Sequence, residues 1–485
     1  MKNQEATYKT ATELGRMIRE GATTGPECVA GVFSVIREKE PANRCYIRLF
    51  EKEAMDAAGE TQRRIEAGEV LSPLAGVPIS VDDNICIKDK TTTGGSRMLE
   101  NYVPTFSATA VRKLEEAGMI LIGKLNIDEF GMGRATETSY FGPTRHPADP
   151  GRITGASAAA VASGEAVCAL ASDAGGALRQ AAAWAGVCGL RPTYGTVSRL
   201  GLYAFVSSTD QIGAVGRDIM DCAAILNIIS GLDPADQTST ETDPINIEAA
   251  GTAGLSGLQI GVPEEFLDGK ADPEVRESVM SAMDLLRAGG AGVETFSMPE
   301  LKHAVTAFAV ISRAEASANL SRLDGIKYGY RSPGARSLSE VYEMSRSEGF
   351  GDHVKESVML GNYFLSQGKY EAYYLKSLQV KALLAESFRA AFGRFDLIIG
   401  PVTCSAAPIP GAYGLLTVFE TDFFTAPASL AGLPAASVPC GTSKEGLPLG
   451  LQIIGPHFSE ERIVGAAAAF TRARAGGHAG ERSDA

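Results

Sequence analysis

The sequence predicts an α/β fold, a sheet covered by helices on both faces, and three observations carry that prediction. Helix-like and strand-like segments alternate along most of the chain. Many of the 54 glycines fall in loops between apolar runs. A chain of 485 residues with an ordinary apolar fraction of 45% can bury one large core, and large α/β enzymes often run as a single domain at this length.

The elements follow in order. From Thr10 to about Gly68 the chain reads as helical: Leu14, Met17 and Ile18 mark one apolar face, and Ala54 to Ile65 continues in helix-forming residues. Val77-Pro78-Ile79-Ser80-Val81 is a short apolar run suited to a buried strand. Ala108 to Gly118 reads as a helix closed by its glycine, and Met119-Ile120-Leu121-Ile122 as a strand. Asp218 to Ser230 is a helix ending at Gly231, and Thr238 to Gly257 a polar, glycine-rich surface connection. Leu258 to Val262 is a strand, Pro273 to Arg287 a helix, and Gly292 to Phe296 a strand again. Leu375 to Phe395 forms a long helix leading into Leu397-Ile398-Ile399. Phe423 to Ser443 is uncharged and long enough to be weighed as a membrane span. Its Pro427, Pro434 and Pro439, with Gly432 and Gly441, divide it into a short helix, a turn and a buried strand. The domain organisation expected is a helical segment over 1–68 packed on a main domain over 69–475, with a frayed tail over 476–485.

Composition narrows the function. A net charge of −13 and a pI near 5.1 argue against a broad basic surface, so direct, strong nucleic-acid binding is not expected. The eight cysteines (Cys28, Cys45, Cys86, Cys168, Cys188, Cys222, Cys404 and Cys440) lack the close spacing of a zinc site or a redox pair. Met1-Lys2-Asn3-Gln4-Glu5 carries no apolar signal segment. Reduced thiols, a cytoplasmic location and no membrane attachment are the expectation. His146, His303, His353, His457 and His478 form no metal-binding pair on a helix, and there is no Gly-x-Ser-x-Gly elbow. Surface or satisfied histidines, no metal and no cofactor are expected.

The strong signal is an ordered set of motifs. Gly76-Val77-Pro78-Ile79-Ser80-Val81-Asp82-Asp83-Asn84 comes first, then Gly123-Lys124-Leu125-Asn126-Ile127-Asp128-Glu129-Phe130, then Phe141-Gly142-Pro143-Thr144-Arg145-His146-Pro147. Leu170 to Gln180 follows, through Ser172-Asp173-Ala174-Gly175-Gly176-Ala177, and Gly189-Leu190-Arg191-Pro192-Thr193-Tyr194-Gly195 completes it. This set resembles the amidase-signature family, in its branch of tRNA-dependent amidotransferase A subunits, over nearly the whole chain. The resemblance implies a single amidase-signature domain on a mixed, mostly parallel sheet. It implies amide hydrolysis by a serine nucleophile, a bridging serine on a cis peptide bond and a lysine, with backbone N–H groups stabilising the oxyanion. It also implies partner subunits B and C.

The departures fall on the reactive groups. Asp82 stands where the family lysine does, and Ala177 where the nucleophile does. The loop of the bridging serine is shortened to Gly155-Ala156-Ser157. Lys88 and Lys90 lie too far along the chain to replace the lysine, at ~3.3 Å per residue. Lys355 is followed by Glu356-Ser357 where the branch has two arginines, and Tyr413-Gly414 replaces an acidic pair. Asp173, Ala174, Gly175 and Gly176 keep the pocket and oxyanion turn. Asp128 and Glu129 are read as structural, Arg179 and Gln180 as loop hydrogen-bonders, and Trp184 as core. The expectation drawn from these departures is a catalytically inactive relative with a degenerate triad, acting as a scaffold, partner-binding or ligand-sensing protein, with a small molecule able to enter the old pocket. Two alternatives stand beside it: an enzyme with altered chemistry at Asp82, and an active amidotransferase of the A-subunit type that hydrolyses glutamine.

Overall fold

The structure is a computed structural model, and it describes residues 6–411 and 421–481. In chain order its strands are β1 (Tyr46–Leu49), β2 (Pro78–Asp82), β3 (Ile120–Leu125), β4 (Arg145–His146), β5 (Asp149–Ile153), β6 (Cys168–Asp173), β7 (Cys188–Arg191), β8 (Gln211–Gly216), β9 (Gln259–Pro263), β10 (Gly292–Phe296), β11 (Leu397–Pro401), β12 (Ala435–Thr442) and β13 (Pro448–Ile454). Among the described residues eleven of them form one sheet in the order β1-β3-β2-β6-β8-β7-β12-β13-β11-β9-β10, and β4 and β5 form a separate hairpin. Helices cover the sheet, as predicted.

The sheet is mixed, but the expected parallel majority does not hold. Four neighbouring pairs are parallel, β2 with β3 and β6, and β9 with β10 and β11. The other six are antiparallel. Strand direction depends on partners distant in sequence: Ala435 of β12 pairs with Arg191 of β7. Two smaller readings are also corrected. The N-terminal segment is not wholly helical, because Tyr46–Leu49 adds an antiparallel edge strand between the helices Gly25–Asn43 and Glu51–Glu66. Its four residues are half-buried to exposed and show no alternation that would betray a strand. The connection over 238–257 contains a helix, Ile247–Thr252, capped by the Asn246 side chain on the Ala249 N–H at 3.0 Å.

Local chemistry explains the helix starts. Thr24 and Glu27 form a reciprocal capping box: the Thr24 hydroxyl accepts from Glu27 N at 3.3 Å, and Glu27 accepts from Thr24 N at 2.9 Å. Asp218 accepts from Met220 N at 2.9 Å and starts the helix Ile219–Ile229. Leu14 and Ile18 of the N-terminal segment share one core with Leu74, Val77 and Val81. The uncharged stretch after Phe423 resolves into the helix Ala426–Leu430, a turn and β12, and among the described residues no helix is long and apolar enough to cross a membrane. The helix Glu460–Glu481 carries the chain past 476, and residues 482–485 lie outside the described residues.

One packing detail positions the site. The helices Ala156–Ser163 and Ala177–Ala185 meet through alanines beside β6. Gly155 starts the first of them, and a Cβ there would lie 2.6 Å from Ala181 Cβ. The short loop therefore seats one helix start directly against the other.

Candidate active site

The neighbouring parallel strands β2 and β6 end on carboxylates, Asp82 and Asp173. In α/β sheets the carboxyl ends of the strands open onto the usual ligand crevice. Here a cavity of about 50 Å³ lies at those ends, lined by Asp82, Gly155, Ala156, Ser157, Ala174 and Ala177 among others. It holds a few water-sized groups, since one water needs on the order of 10–15 Å³. Gly175 and Gly176 line the adjoining cavity. The fold therefore gathers the pocket residues singled out in the sequence, apart from Asp173, which lines neither cavity.

Asp173 is a structural anchor. Arg179 Nε and Nη2 each donate to its carboxylate at 3.0 Å, and Arg191 Nη1 does so at 3.2 Å, with all three side chains fully buried. Burial works against its charge, but the two guanidinium groups outweigh burial and hold its pKa below the ordinary value. Asp173 is thus already neutralised by its two arginines. Arg179 also donates to Ser429 Oγ at 2.7 Å and Gln452 Oε1 at 2.6 Å, and Gln180 to Thr425 Oγ1 at 2.9 Å. Both hold the loop, as read from the sequence. The turn itself requires glycine. Gly176 has φ 133°, a Cβ there would lie 2.1 Å from Thr425 Oγ1, and one at Gly175 would lie 2.4 Å from the Phe308 ring. No side chain caps the helix Ala177–Ala185, so its first-turn N–H groups remain for a ligand oxygen.

Asp82 is the opposite case. Its Oδ2 accepts from Ser172 N at 3.1 Å, and among the described residues Oδ1 has no hydrogen-bond partner. Burial pushes its pKa from 3.8 up to about 7, against the pull of the Ser172 N–H and Lys124. Beside it, Asp83 accepts from Thr93 N at 2.8 Å and from the Thr93 hydroxyl, and sits 3.8 Å from Lys124 Nζ. Lys124 is fully buried, and burial lowers its pKa. It donates to Asp82 O at 2.9 Å and to Ile85 O. Asn84 donates to Ser172 Oγ at 2.8 Å. Lys90 lies at the surface, paired with Glu53.

Several site residues escaped the sequence reading. Asp210 lines the same cavity, and burial lifts its pKa to about 6 although its carboxylate accepts from Phe205 N at 2.9 Å and Val206 N at 3.0 Å. The adjoining cavity, also about 50 Å³, carries charged groups on a largely apolar lining: Arg134, Arg313, His353 and Asp422 line it. Arg134 Nε donates to Asp422 Oδ1 at 2.7 Å. His353 is half-buried there and hydrogen-bonded to the Met132 backbone, within the expectation of a surface or satisfied histidine, and burial lowers its pKa. A usable signal existed for Lys124, since an ammonium inside the apolar run Ile120–Leu125 is a buried charge. Asp128 and Glu129 are structural as expected: Asp128 accepts from Thr136 N at 2.8 Å and Thr138 N at 3.0 Å, and Glu129 accepts from Gly351 N at 2.9 Å. Trp184 is buried, its indole donating to Ser405 O at 3.1 Å. All eight cysteines are unpaired, six of them buried. Tyr413-Gly414 lies outside the described residues.

Comparison with known proteins supplies the wider frame. The family model described as Amidase matches residues 27–464. A protein of Lachnospira eligens named as the A subunit of glutamyl-tRNA(Gln) amidotransferase is 45% identical over 471 residues, covering 96% of this chain and 98% of the relative. One of the same name from Lachnoclostridium phytofermentans is 46% identical, covering 96% and 97%. Among solved structures, the A subunit of glutamyl-tRNA(Gln) amidotransferase from Thermotoga maritima superposes with a TM-score of 0.76 at 35% identity, covering 96% of this chain and 93% of that one. Full-length likeness of this order to chains bearing that enzyme's name corrects the expectation of an inactive scaffold with a degenerate triad. The correction concerns function. Asp82 and Ala177 both line the cavity. By the matched family model and this full-length identity, the chain belongs to the amidase family, the amidase-signature enzymes.

Proposed function

We propose that the chain serves as the A component of a tRNA-dependent amidotransferase, hydrolysing the side-chain amide of glutamine and passing ammonia to partner subunits B and C in the cytoplasm. The observation that carries the reading is the 45% identity over 96% of the chain to a protein named as that component. The adjoining cavity supports it, because Arg134, Arg313 and Asp422 bring charges of both signs suited to the α-groups of a free amino acid. In domain terms, residues 69–475 form the catalytic unit and 1–68 a segment packed on it.

The site residues dictate the chemistry. Ala177 offers no nucleophilic atom, so no acyl group is carried at that position and water attacks instead. The Asp82 carboxylate removes a proton from water as its oxygen bonds to the amide carbon. The carbonyl electron pair moves onto oxygen, facing the first-turn N–H groups beside Gly175 and Gly176. When the C=O bond re-forms, the C–N bond breaks and nitrogen takes the proton from Asp82. One amide and one water give one carboxylic acid and one ammonia. A carboxyl with its pKa near 7 suits both halves of that transfer.

The test is ammonia release from glutamine by the purified chain and by the chain co-expressed with subunits B and C. The expected result is release above a heat-treated blank, and co-purification of the three subunits. Absence of ammonia from both preparations overturns the proposal.

A further inference from the structure

Behind the wall formed by Phe130, Leu202 and Tyr203 lies a larger chamber of about 310 Å³ that the proposed reaction does not use. Its size falls at the lower end of small-molecule sites. Aromatic rings dominate it. Tyr102 and Tyr203 stand with ring centroids 6.3 Å apart, tilted by 56°, and Tyr203 is pinned by its hydroxyl donating to Thr92 O at 2.7 Å. Phe130 is braced edge-on by Phe350 at 5.9 Å. Tyr328 is nearly half exposed at the chamber's edge. Fixed rings on several walls favour a flat, apolar guest over a flexible chain.

Among the described residues the one cationic group in the lining is Arg322. Its Nε donates to Asn319 O at 2.9 Å, which orients the guanidinium, and among the described residues it joins no ion pair. Asp324, two residues on, turns its carboxylate to the N–H groups of Ile326 at 2.8 Å and Lys327 at 3.3 Å instead. An oriented guanidinium beside an aromatic chamber complements a single planar anion.

We infer that this chamber is a second ligand site, separate from the amide-cleaving pocket, that takes a planar aromatic carboxylate, with the ring among Tyr102, Phe130, Tyr203 and Tyr328 and the carboxylate on Arg322. The inference does not rest on the proposed reaction, because it is read as binding, without turnover.

The test is calorimetric titration of the full chain with 2-naphthoate, cyclohexanecarboxylate and 2-naphthylmethanol. Saturable 2-naphthoate binding is expected, with cyclohexanecarboxylate weaker. Arg322→Gln, at an exposed position, should weaken 2-naphthoate about fivefold and leave the alcohol unchanged, as for a solvent-exposed charge contact. Tyr328→Ala should weaken both aromatic ligands by roughly three- to tenfold. No saturable binding of 2-naphthoate up to millimolar concentration, or equal affinity of Arg322→Gln and the parent chain for it, overturns the inference.

Discussion

Asp82 and Asp173 close neighbouring parallel strands at the same edge of the sheet, and both are buried, yet their environments are opposite. Asp173 meets two guanidinium groups that outweigh burial and keep it ionised. Asp82 meets one backbone N–H, leaves an oxygen unpartnered among the described residues, and is pushed up to about 7. Burial alone therefore does not decide what a carboxylate does. The number of fixed donors around it does, and the carboxylate with few donors is the one free to exchange a proton.

The sharpest way to break that contrast is Asp82→Asn. Loss of a positioned general base is expected to lower ammonia release by about 10²- to 10⁴-fold. The parent activity should rise with pH through about 7, as Asp82 ionises. Stability should run the other way. Asp82 has a folded-state pKa above its unfolded value of 3.8, so the folded protein holds a proton that the unfolded chain has lost. Stability falls as pH rises from about 3.8 to about 7, by roughly 4 kcal/mol at most, and levels off above that. Denaturant melts across this window should show the slope in the parent and a flatter line in Asp82→Asn. A variant that is both fully active and unchanged in slope would remove Asp82 from the chemistry.

Asp173→Asn probes the other side. It leaves Arg179 and Arg191 buried with a neutral partner, and removing one member of such a network costs about 3–5 kcal/mol. The loss should appear in urea melts at every pH near neutrality, because the Asp173 pKa is already below the ordinary range. Gly176→Ala comes next. Its Cβ would overlap Thr425 Oγ1, and φ 133° suits glycine. Overpacking and strain of that kind cost about 1–3 kcal/mol. Thermal melts should show it, with activity falling as the turn and its N–H groups shift.

The place of the pocket was legible in the sequence, but the contrast between its two aspartates was not. The motif order located Asp82, Ala177 and Gly155-Ala156-Ser157, and the fold brought them around one cavity. Strongly periodic segments such as 273–287 gave the helix Pro273–Ala288. What escaped depends on chain-distant encounters. Nothing local to Asp210 or Asp422 marks a pocket, because Asp422 reaches its site by meeting Arg134, 288 positions away. Strand direction escaped for the same reason, and β1 was too short and too exposed to show a period. The functional expectation failed differently. It set an inactive scaffold ahead of both an enzyme working through Asp82 and an active amidotransferase, and the full-length likeness to proteins named as that enzyme's A subunit reverses that order.

Ala177→Ser gives the smallest and most discriminating effect. The position opens the helix Ala177–Ala185, where a serine hydroxyl is well tolerated, so stability should change by less than about 1 kcal/mol. Among the described residues no lysine lines the cavity that the new hydroxyl would face. Ser157 sits within the helix Ala156–Ser163 rather than on a loop able to bridge a proton. Ammonia release should therefore stay within about fivefold of the parent, with the same pH profile, as the proposed attack of water through Asp82 requires. Intact-mass measurement after incubation with an amide-mimicking inhibitor should show no covalent adduct on the variant. An adduct on Ser at 177, or a large gain in rate from that single hydroxyl, would mean that residue 177 alone governs the reaction and that the contrast between the two aspartates is not what selects the chemistry.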